Sequence, residues 1–105
     1  MALVKLTNNN FDKEIKQYEG VALIDFYADW CGPCKMVSPI VDELAETQDT
    51  YKICKVNVDD EPALASAFGV MSIPTLVVMK NGEIVDTHIG LAGKSKILAM
   101  LENVQ

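Results

Sequence analysis

The stretch Val21-Ala22-Leu23-Ile24-Asp25-Phe26-Tyr27-Ala28 restricts the folding of this chain more than any other. It is apolar at successive positions, not at every second one, so it reads as a strand covered on both faces. Such a strand belongs at the centre of a sheet with helices on either side. Directly after it come Trp30-Cys31-Gly32-Pro33-Cys34, followed by Val37, Ile40, Val41 and Leu44 at helical spacing. Two thiols three positions apart therefore stand on a strand-to-helix turn, at the first residues of the helix. A close pair in that position reads as a dithiol redox site.

The remaining pattern fills in the sheet. Leu3 to Leu6 is a short strand candidate, and Thr7-Asn8 offers caps for a helix carrying Phe11, Ile15 and Tyr18 that stops at Gly20. The helix after the cysteines runs to about Thr47, kinked and not ended by Pro39. Tyr51 to Val58 is a strand, and Asp59-Asp60-Glu61-Pro62 opens a short helix with Leu64, Ala65 and Phe68, stopped by Gly69. Thr75 to Met79 and Glu83 to Ile89 flank Asn81-Gly82, a dipeptide suited to a two-residue hairpin turn. Ile97, Leu98, Leu101 and Val104 mark a last helix. The prediction is an α/β fold with a central mixed five-stranded sheet flanked by four helices: crossovers first, a hairpin after.

At 105 residues the chain is expected to form a single domain, residues 1–105, burying roughly two thirds of its unfolded surface. Nine basic residues, all Lys, stand against fifteen acidic ones, a net charge of -6. That balance argues against nucleic acid and anionic membrane surfaces, and no apolar run approaches the roughly 18 residues of a membrane span. Other proteins or small molecules are the expected partners. Met1 to Lys5 lacks the apolar region of a secretory signal, and three cysteines in this spacing are unlike a secreted disulfide framework. A cytoplasmic, reducing location is the expectation.

The order of elements, together with Asp25-Phe26-Tyr27-Ala28-Asp29-Trp30-Cys31-Gly32-Pro33-Cys34-Lys35, resembles the thioredoxin family over essentially the whole chain. The resemblance implies a thioredoxin fold and a disulfide reductase that is itself re-reduced by a thioredoxin reductase. It implies no metal and no cofactor beyond a redox-active disulfide between Cys31 and Cys34. Two positions depart from the family pattern: Tyr27 stands where Trp is usual, and Cys54 is an additional thiol. The monomer is the expected state.

At a helix start Cys31 would meet unpaired amide hydrogens and the positive dipole end, which favour thiolate and make it the nucleophile. Pro33 suits a first-turn position, and Gly32 lets another protein's backbone approach. Cys34, one turn on, should be more buried and resolve the mixed disulfide formed by Cys31. Asp25 is a carboxylate in the most apolar strand, where burial raises its proton affinity. Strand alternation lets Lys55 approach it. The resemblance implies that Asp25 accepts the proton of the second cysteine, with Lys55 nearby, although a purely structural pair is the plainer reading. It further implies that Pro74 is cis after Ile73, and that Trp30, Ile73, Pro74 and Gly90 dock an extended target segment.

Other readings remain at this point. Cys31, Cys34, Cys54 and His88 supply four residues of the type that binds structural zinc, although only one pair is closely spaced. A disulfide oxidase or isomerase, or a non-redox binding subunit, fits the same fold. Cys54 reads as a small buried hydrophobe and His88 as a surface residue.

Overall fold

The computed structural model describes residues 3–105; Met1 and Ala2, the first residues of the amino-terminal stretch considered above, lie outside the described residues. Among the described residues five strands form one sheet: β1 (Val4–Lys5), β2 (Val21–Tyr27), β3 (Lys52–Asn57), β4 (Thr75–Lys80) and β5 (Glu83–Ile89). Their order is β1-β3-β2-β4-β5, with β1, β3 and β2 parallel and β4 and β5 antiparallel to their neighbours. Helices α1 (Cys34–Thr47), α2 (Pro62–Ala67) and α3 (Lys94–Glu102), with a π-helical stretch Asp12–Lys16, cover it. The mixed sheet between helix layers is the predicted architecture. No helix among the described residues is long and apolar enough to cross a membrane.

The central strand explains the layering. Val21 and Leu23 point to one face, where Val37, Val41 and Leu44 of α1 meet Ile97, Met100 and Leu101 of α3. Ala22, Ile24 and Phe26 point to the other, packing with Leu6, Ile15, Leu64 and Phe68. Full burial of each large aliphatic or aromatic side chain stabilises by about 1.5–3 kcal/mol. A strand contributing to both cores has no room for alternation, which is why β2 is apolar at consecutive positions.

The first helix differs from its prediction. It is a single π-helical stretch closed by Gln17 N–H donating to Asp12 O at 2.9 Å, and Tyr18 lies beyond it. The chain must leave the helix early because Gly20 is latched to the hairpin. Its N–H donates to Asn81 Oδ1 (2.9 Å), and Asn81 N–H donates to the Gly20 carbonyl (3.0 Å). Thr7 does shape the entry, exchanging bonds with Asn10, whereas the Asn8 N–H donates to Glu61 Oε1 (2.8 Å). At the end of α2, Gly69 (φ 67°) donates to Ser66 O and Val70 donates to Ala65 O, a Schellman termination. Asn81 and Gly82 both have positive φ, as a type I′ hairpin turn requires.

Candidate active site

β2 runs out of the sheet at Tyr27 and the chain turns through Ala28 to Pro33 before α1 begins at Cys34. Cys31 therefore stands just before the helix, with Pro33 as N-cap and Cys34 as its first residue, not one turn inside it. The spacing alone placed both thiols in the helix; Gly32 and Pro33 instead form the turn leading into it. The two sulfurs are bonded, with Cα atoms 5.3 Å apart. Cys34 N–H, one of the orphan amides of the helix start, donates to Cys31 Sγ at 3.2 Å. Both cysteines are almost wholly covered, 4% and 3% exposed, so the expected contrast in burial is absent in this disulfide-bonded state.

Around the sulfurs the structure assembles most of the anticipated residues. Ala28, Cys31 and Cys34 pack with Tyr27, Val58 and Ile73. Cys31 Sγ lies 3.7 Å from the Ile73 carbonyl oxygen. The Ile73–Pro74 peptide bond is cis, and Gly90 N–H donates to Pro74 O at 2.9 Å, tying the end of β5 to this corner. Gly32 has open space in front of it. Trp30 is 70% exposed, held by its indole N–H donating to Asp59 Oδ2 (2.8 Å), and with Ile73 and Met71 it lines a shallow apolar hollow. Asp59 and Met71 were not singled out from sequence. An acid at a helix entry gives no sign that it orients a distant indole.

Asp25 lies in β2 below α1, its residue facing Lys55 across β3 and Leu76 across β4. Burial pushes its carboxyl up to about 6 from the ordinary 3.8, opposed by the Lys55 charge and reinforced by Asp42. Among the described residues neither carboxyl oxygen has a hydrogen-bond partner. The structural ion pair between Asp25 and Lys55 is not formed. The Lys55 ammonium turns instead to Ser38 Oγ and to Asp42 Oδ1 (3.1 Å), both on α1, and sits 4.8 Å above the Tyr27 ring. Tyr27 thus supplies the aromatic face under the cation.

The four-ligand zinc alternative is not assembled. Cys54 is fully buried in the core on the far side of the sheet from α1, and His88 is on edge strand β5, separated from β3 by β2 and β4. Among the described residues no group of three or more His, Cys, Asp or Glu is placed to hold a metal. The His88 Nε2 instead lies 2.9 Å from the Leu91 carbonyl oxygen.

The thioredoxin family model matches residues 2–103. The chain belongs to the thioredoxin family. It is 48% identical over 103 residues to a thioredoxin of Staphylococcus haemolyticus, covering 97% of each chain. It is 49% identical over 98 residues to one from Bacillus subtilis, covering 92% of each. Among solved structures, a single-residue mutant of a thioredoxin from Halobacterium salinarum superposes with a TM-score of 0.87 at 39% identity, over 96% of this chain and 88% of that one. The sheet and helices described above are the thioredoxin fold. With the bonded Cys31–Cys34 pair, membership establishes a thiol–disulfide oxidoreductase that reduces disulfide-containing proteins.

Proposed function

We propose that Cys31 is the attacking thiol and Cys34 the resolving one. The Cys31 thiolate attacks a target disulfide, forming a Cys31–target bond and releasing one target thiolate. Cys34 gives its proton to Asp25 and attacks Cys31 Sγ, which forms the Cys31–Cys34 disulfide and releases the second target thiolate. Two electrons pass to the target. The observation that carries this assignment is the amide at the start of α1 aimed at Cys31 Sγ. That amide stabilises charge on Cys31 rather than on Cys34.

Trp30, Gly32, Pro33, Ile73, Pro74 and Gly90 form the surface on which an extended target segment lies, with broad specificity because main-chain pairing needs little sequence. Lys55 acts beside Asp25 through its charge. A thioredoxin reductase supplies electrons, the protein works as a monomer, and its compartment is the cytoplasm, where thiols are kept reduced. The test is reduction of insulin disulfides by dithiothreitol. Cys31→Ser should abolish the acceleration, and Cys34→Ser should accumulate covalent target complexes on non-reducing gels. Full activity of Cys31→Ser would overturn the assignment.

A further inference from the structure

The Lys55 ammonium has two places to go. Asp25 is its register partner across the parallel ladder, buried, with both oxygens unpartnered among the described residues. Such a carboxyl is the strongest available acceptor for a cation. The ammonium nevertheless binds Ser38 Oγ and Asp42 Oδ1, one and two turns along α1 from Cys34. The pair joins a Lys55 side chain only 11% exposed to an Asp42 side chain that is 51% exposed, so the buried ammonium is drawn to a partner at the surface and away from the buried one beside it.

We propose that Ser38 and Asp42 are positioning residues: by holding the Lys55 ammonium against α1 they keep it off the Asp25 carboxyl, which stays free to take the Cys34 proton during resolution. This deepens the reading of Asp25 as proton acceptor and rests on it. An ammonium bonded directly to Asp25 would stabilise the carboxylate and occupy an oxygen that the proton needs, making a weaker base. Held on α1, it acts on Asp25 only through its field. The charged and titratable groups whose fields reach Asp25 are Lys55 from β3, Asp42 from α1 and Tyr27 from its own strand. β4 presents Leu76, and α3 brings Ile97, Met100 and Leu101 to this face. Burial, the main cause of the raised proton affinity of Asp25, is left intact by the clamp.

The experiment follows the Asp25 carboxyl by carbon NMR in the reduced protein. In parallel it follows the pH profile of the second thionitrobenzoate released from dithiobisnitrobenzoate, the step that Cys34 performs. Ser38→Ala, Asp42→Asn and the double variant are compared in the native and Lys55→Gln backgrounds; Ser38→Ala changes no charge and favours the helix. With Lys55 present, the double variant should lower both midpoints by about one pH unit. In Lys55→Gln only the smaller effect of losing the Asp42 charge should remain. Equal shifts in the two backgrounds, no shift, or an upward shift from an ammonium escaping to solvent would overturn the clamp while leaving Asp25 as acceptor. A second-release profile that Asp25→Asn does not alter would overturn the acceptor reading and the clamp together.

Discussion

Asp25 is a buried acid whose ionisation opposes folding. Its folded-state value near 6 lies above the ordinary 3.8, so its contribution to stability is complete below about pH 4, where both states are protonated, and is lost as pH rises through 6. Asp25→Asn stays neutral. It should be the more stable protein above pH 6 by at most about 3 kcal/mol, with the gain vanishing near pH 4, as read from urea unfolding at the two pH values. The same substitution should slow the second thiol release. Cys54 is shifted the same way, a thiol pushed up to about 12 by burial and so kept protonated. In the reduced folded protein at pH 8, iodoacetamide should label Cys31 and spare Cys54, with Cys54 labelled only after denaturation, as followed by mass spectrometry. Both residues were legible in the sequence because a carboxylate or thiol inside an apolar strand stands out. The direction taken by Lys55 was not, since alternation fixes the face of a strand residue and leaves the rotamer of a long side chain open.

At the scale of elements, legibility follows how many constraints agree. β2 and the β4–β5 hairpin carry apolar period, turn residues and length together, and each lies where the pattern put it, as does the end of α1 at Thr47. The π-helical stretch does not, because its end is set by the Gly20–Asn81 latch, a contact 61 residues distant in sequence. Residues 31–33 are misplaced by the opposite cause: helical spacing extends no further back than the first buried contact, so the start of α1 shifts by one turn. Two glycines separate conformational from steric demand. Gly69 has φ 67° and open space where a Cβ would lie, whereas Gly82 has φ 83° and its Cβ would come 2.7 Å from the Lys16 carbonyl oxygen. Gly69→Ala should cost about 1 kcal/mol and Gly82→Ala about 3, because the second adds a backbone clash to the left-handed strain. Equal losses in denaturant titrations would show that the hairpin tip moves freely away from the π-helical stretch.

For the whole molecule the redox reaction and the folding equilibrium are one cycle. Cys31 and Cys34 are packed against Ala28, Val58 and Ile73, so unfolding separates a pair that the native state holds together. Closing a loop of four residues removes entropy from the unfolded chain worth about 2 kcal/mol in the loop-closure treatment. Neither Cys31 nor Cys34 belongs to the two cores around β2, so little of that difference should be offset by repacking. The oxidised protein should therefore unfold at a higher urea concentration than the reduced one, by about 2 kcal/mol at equal slopes. Around the cycle, the folded dithiol must then form its disulfide about 30-fold more readily than the unfolded chain does. Both legs are measurable, one by urea titration of each redox form and the other by equilibration with glutathione in native buffer and in denaturant. A reduced form as stable as the oxidised one would mean that the folded dithiol is held by interactions the disulfide lacks, the stabilised Cys31 thiolate at the start of α1 first among them. The roughly 30-fold ratio measured with glutathione would then have to collapse by the same factor.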